Sequence, residues 1–130
     1  LQILSSACQP DFEAVAHAVP GPRIYQLYLT GDQAWMDDVI AQALEAGYTA
    51  LCLTADTQTY SRRERDILKR FVPPSGSQAG VSDFGHQARM TWDTVAHVKE
   101  TFAIPLVVKG VGVAADAARC VEAGVDVVYV

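Results

Sequence analysis

Cysteine is scarce and scattered in this chain of 130 residues: Cys8, Cys52 and Cys120 stand far apart, with no C-x-x-C pair. That argues against a disulfide framework and against a zinc site, and points to reduced, packed thiols in a cytoplasmic protein. A basic excess is also missing. The formal net charge is −5, which argues against a nucleic-acid partner, because a phosphate-binding face shows as clustered Lys and Arg. No apolar run approaches the ~20 residues of a membrane-spanning helix, and no signal peptide is visible, so no membrane partner is expected. An initiating methionine is lacking too. The chain opens on Leu1 inside an apolar run and closes inside another, VDVVYV, so both ends read as cut. What is present is a globular composition, 50% hydrophobic and 19% charged, at a length that suits one domain or part of one.

Strand and helix patterns alternate along the chain. Apolar strand candidates are LQIL (1–4), IYQLYL (24–29), TALCLTA (49–55), IPLVVKG (104–110) and VDVVYV (125–130). Helical spacing fills 11–18, 33–46, 91–102 and 114–123, with Asp32 placed to cap the second of these. Two stretches repeat the order amphipathic helix, Glu-Ala-Gly, strand: ALEAGYTALCLTAD and CVEAGVDVVYV. Gly47 and Gly124 fall where a left-handed residue ends a helix. Such alternation requires a parallel sheet covered by helices. Two architectures satisfy it, part of a (β/α)8 TIM barrel or a doubly wound open sheet, and the near-regular spacing of the strands favours the barrel. One interval is longer. It begins with the charged run RRERDILKR, which reads as a solvated face, and turns rich in Gly, Ser and Pro, so about 73–90 reads as a mobile surface loop.

In both architectures ligands bind at the carboxyl ends of the strands. Those ends carry Ser5 and Ser6, then Gln26 and Tyr28, then Thr54 and Asp56, then Lys109; only VDVVYV shows no polar end. Each has an ordinary structural alternative. Ser6 can cap the next helix, Tyr28 can pack with its hydroxyl at the rim, Asp56 can start a turn and Lys109 can reach solvent. Four polar ends in succession are harder to assign to chance. A buried ammonium costs several kcal/mol unless it is paired, so Lys109 calls for Asp56 or an anionic ligand. His17 and His97 fall on helices away from these ends and read as surface residues, and His86 falls in the loop. The turn VKGVGVAAD contains G-x-G-x-x-A between a strand and a helix, the pattern of a dinucleotide-binding turn over 110–115. It follows three βα units, although that fingerprint normally opens its domain.

The segments RIYQLYL, LCLTADT, SRRERDILKRFVPP, TWDTVAHVK and IPLVVKGV together resemble the FMN-dependent 2-hydroxy acid oxidase and dehydrogenase family, whose members oxidise glycolate, lactate or mandelate. The resemblance covers nearly the whole chain apart from 75–90. It implies a (β/α)8 barrel of which this chain supplies the second to sixth strands, with FMN as cofactor. It implies that Ser5, Gln26 and Thr54 hydrogen-bond the flavin ring and that Lys109 lies beside its N1 and C2 carbonyl. It implies that Tyr28 points its hydroxyl at a small 2-hydroxy acid substrate, that Arg63 holds the substrate carboxylate, and that Asp56 pairs with a histidine base. That histidine would stand about three residues past Val130, so the chain as it stands is expected to be inactive alone. Ala7, where some members carry a large aromatic, implies room for a substrate bulkier than glycolate. The resemblance also implies a homo-oligomer, a tetramer. The competing expectations are an NAD(P)-dependent oxidoreductase using the 110–115 turn and a non-catalytic barrel fragment.

Overall fold

The apolar runs become five parallel strands, each packed against its neighbour in chain order. The computed structural model describes residues 1–57, 64–71 and 85–130. The strands are β1 (Gln2–Ser5), β2 (Arg23–Leu27), β3 (Ala50–Thr54), β4 (Leu106–Lys109) and β5 (Val127–Tyr129). The helices are α1 (Phe12–Ala18), α2 (Gln33–Glu45), α3 (Glu64–Lys69), α4 (Gly85–Ala88), α5 (Trp92–Thr101) and α6 (Ala114–Glu122). The sheet order is β1-β2-β3-β4-β5, parallel at every pairing. An open doubly wound sheet reverses its strand order at a switch point. These five strands show no reversal, so of the two expected architectures the barrel wall is the one observed.

Local chemistry explains the helix ends. Asp11 and Asp32 accept hydrogen bonds from Ala14 N and Trp35 N, both at 2.9 Å, and so cap α1 and α2. The repeated Glu-Ala-Gly closes both of its helices in the same way. Tyr48 N donates to Ala43 O and Gly47 N to Leu44 O; Val125 N donates to Cys120 O and Gly124 N to Val121 O. These are paired Schellman closures, and they place Gly47 at φ 86° and Gly124 at φ 73°.

The sheet has two faces with different contents. Leu4, Tyr25, Leu27, Leu51, Leu53, Leu106 and Val108 join Met36, Ile40, Val95 and Val98 in the core between sheet and helices. The alternate residues, among them Ile3, Ser5, Gln26, Cys52, Thr54, Val107, Lys109 and Tyr129, therefore face the other way, into what is the interior of a barrel. At the amino ends of the strands, Arg23 donates to Val19 O (2.5 Å) and Gly47 O (3.3 Å) and lies over the Tyr48 ring. Its charge is met by helix-end carbonyls at the end of the barrel opposite the candidate site. Of the predicted loop at 73–90, residues 73–84 lie outside the described residues. The rest differs from the expectation: it forms α4, which carries His86, and leads to a buried Met90. Among the described residues no helix is long and apolar enough to cross a membrane.

Candidate functional site

The site is built from the last inward-facing residue of each strand. Gln26 is paired in register with Ser5 on one side and Cys52 on the other, and Thr54 is paired with Lys109. Gln26 and Thr54 are both buried, and the Gln26 amide Nε2 donates a short hydrogen bond to Thr54 Oγ1. A buried amide left without a partner would cost about 1–3 kcal/mol, so this bond fixes the amide's direction. Ser5 Oγ, at the end of β1, accepts from Ala7 N at 3.2 Å. Lys109 closes β4 and places Nζ 3.3 Å from both oxygens of Asp56, two residues beyond the end of β3. Of the two partners expected for the ammonium, Asp56 is the one present within the chain. The pair is part-exposed, so its own contribution to stability is small, about 0–1 kcal/mol. Its importance is placement.

Tyr28 follows β2 between the buried Leu27 and Leu29 and is itself half-buried. Its backbone N–H donates to Ser6 Oγ at 3.1 Å, which ties the ends of β1 and β2 together. Ser6 is therefore not the helix cap that its position allowed; Asp11 fills that role. Arg63 lies outside the described residues. His97 also differs from the sequence reading. Its Nε2 lies 2.8 Å from Asp37 Oδ1, so it joins α5 to α2 and is only a quarter exposed. His17 sits on α1 with Nδ1 2.9 Å from Glu13 O.

Two contributors were not found by the sequence reading. Gly110 has φ 93°, and a Cβ there would lie 2.6 Å from Asp56 Cβ and 2.9 Å from Asp56 N. The missing side chain is what lets Asp56 lie beside Lys109. Gly112, its partner in the G-x-G pattern, would meet nothing within 4 Å. The second is Tyr129, paired in register with Lys109 on the same face; the alternation Val127, Val128, Tyr129 was the available signal. Beneath the rim, burial first of all pushes the Cys52 thiol up to about 11, with Lys109 lowering it and Asp56 raising it. Cys52 is thus a protonated, unreactive thiol at neutral pH.

An amide, hydroxyls and an ammonium stand at the carboxyl ends of parallel strands, the end at which barrel enzymes bind their ligands. The sequence pattern of the FMN-dependent dehydrogenase family matches residues 1–130, and the chain belongs to that family. It is 33% identical over 144 residues to glycolate oxidase of Spinacia oleracea, a match covering 95% of this chain and 39% of that protein. It is 30% identical over 153 residues to L-lactate oxidase of Nostoc sp., covering 98% and 42%. Among solved structures, mandelate oxidase with benzoyl-formic acid superposes with a TM-score of 0.83 at 29% identity, covering 98% of this chain and 38% of that one. The flavin-binding domain of baker's yeast flavocytochrome b2 gives 0.83 at 30% identity, covering 98% and 32%. The chain spans about two fifths of the length of the curated relatives it matches.

The donor set fits FMN. A flavin's pyrimidine edge alternates N–H and C=O groups, which an amide and hydroxyls can meet as donors or acceptors. Gln26, Thr54 and Ser5 carry groups of that kind, and the Lys109 cation stands at one end of the row.

Proposed function

We propose that this chain forms the flavin-holding wall of an enzyme that oxidises an L-2-hydroxy acid to the 2-oxo acid. The observation that carries this reading is the buried Gln26–Thr54 hydrogen bond set in register beside the Lys109 ammonium. FMN held by these residues would supply hydride-acceptor chemistry at N5, with negative charge developing toward N1 and O2. Lys109 holds a fixed positive charge for that end of the ring, and in a water-poor site such a charge counts for most. Gln26, Thr54 and Ser5 orient the ring. Tyr28 offers a hydroxyl to the substrate, and Arg63 offers a planar, permanently charged partner to the substrate carboxylate.

In the overall reaction the substrate loses hydride from Cα and a proton from its hydroxyl. The proton goes to a histidine supplied by sequence beyond residue 130, with Asp56 as its orienting carboxylate. Ala7 favours a substrate bulkier than glycolate. The free thiols fit a reducing compartment, and a homotetramer is the assembly that the family resemblance favours.

The test is the visible spectrum of the full-length protein, followed by anaerobic bleaching with a panel of 2-hydroxy acids. Flavin absorption that bleaches with lactate- or mandelate-sized acids is expected. Lys109→Met should slow flavin reduction by about 10²-fold or more. A colourless protein overturns the assignment, and strict preference for glycolate overturns the reading of Ala7.

A further inference from the structure

We propose that Tyr129 is a positioning residue for Lys109, its ring walling the ammonium on the side opposite Asp56. The inference rests on the flavin reading above and goes beyond it to a residue that none of the strand-end assignments includes.

The sheet order places β4 between β3 and β5, so Lys109 has a neighbour on each side. On the β3 side, Asp56 lies 3.3 Å from Nζ. On the β5 side, Tyr129 is its register partner. Paired residues on one face of adjacent strands stand about 4.8 Å apart, so the two side chains rise side by side from the same face of the sheet. The β5 backbone is held firmly at this level. Tyr129 O accepts from Gly110 N at 2.8 Å and from Val111 N at 3.3 Å, which ties Tyr129 to the residues that follow Lys109. Val128, packed against the core, fixes which way Tyr129 faces.

A lysine left to itself samples many rotamers on its four-carbon stem. A carboxylate on one side draws the ammonium that way, and a flat ring on the other side removes the opposing rotamers. The ring, through its bulk and flat face, is the part proposed to act on Lys109, and the phenylalanine variant below separates it from the hydroxyl. Held so, the ammonium stabilises charge on reduced flavin more than a freely moving one does.

The measurement is the midpoint potential of the FMN bound to the full-length protein, compared with Tyr129→Phe, Tyr129→Ala and Tyr129→Leu. Tyr129→Ala should weaken the binding of reduced FMN relative to oxidised FMN about tenfold, a shift of about 30 mV to more negative potential for a two-electron couple. Tyr129→Phe should keep the parental potential. Should the alanine variant fail to fold, Tyr129→Leu, with bulk but no flat ring, should shift in the same direction. A parental potential in whichever of the alanine and leucine variants folds overturns the proposal. So does a phenylalanine variant shifted as far as either, because the hydroxyl would then be the active part. A parent protein that holds no FMN overturns the flavin reading itself, and this one with it.

Discussion

Gly110 shows how one residue's role can be visible in the sequence and misattributed by it. The G-x-G at 110–112 reads as a phosphate-cradling turn. In the folded chain Gly110 is needed because it adopts φ 93° and because Asp56 packs against it, a contact between residues far apart in sequence that no local pattern reveals. The two glycines therefore separate by experiment. Gly110→Ala should cost about 1–3 kcal/mol from the left-handed backbone alone, with more from the contact with Asp56, and should weaken FMN binding. Gly112→Ala, whose Cβ meets open space, should stay within about 0.5 kcal/mol of the parent. Denaturant midpoints and a flavin titration of both variants check this. Ser5, Gln26, Thr54 and Lys109 were legible because a strand's alternation and its last residue can be read directly. Tyr129 was overlooked because its run is apolar on both sides, and a tyrosine among valines reads as packing.

At the scale of elements, the four helices read from spacing, α1, α2, α5 and α6, matched their patterns almost to the residue, since Asp caps and Glu-Ala-Gly closures are local. Except for β1, which keeps four residues shifted by one, the strands came out shorter than their apolar runs. IPLVVKG becomes strand only from Leu106, because Pro105 has no N–H to give and only its carbonyl joins β3, through Leu51 N. One junction among elements was not anticipated. Asp126 Oδ2 accepts from Leu106 N and from Lys99 Nζ, both at 2.8 Å, and so joins the start of β5 to β4 and α5. The backbone N–H of Leu106 first, and Lys99 second, hold its carboxyl below the ordinary value of 3.8. A group whose pKa is lowered by folding contributes stability above its unfolded value and loses it as the pH falls through the folded one. Thermal midpoints should accordingly fall on acidification below about pH 4. Asp126→Asn, which keeps an acceptor but no charge, should show a shallower acid fall and a lower midpoint at neutral pH.

For the whole molecule, the architecture was readable from order and spacing, and the outcome is a wall with one finished face and one unfinished one. Toward the helices the strands are closed over. On the barrel-interior side Ile3, Val127 and Tyr129 are half exposed, and among the described residues β1 and β5 each have one unpaired edge. Residues 1–130 expressed alone should self-associate. Light scattering at rising concentration should give a mass above one chain, and a monodisperse monomer would contradict the barrel assignment.

The sequential strand order also bears on how such a chain is made. Each strand pairs with the one that emerged from the ribosome just before it, so every new strand meets a template already in place. Only the long excursion between β3 and β4 delays the next docking, and loop-closure entropy grows slowly enough with length to make that delay modest. Assembly during synthesis can therefore run from strand to strand, with Ser5, Gln26 and Thr54 on β1 to β3 laid down before Lys109 arrives.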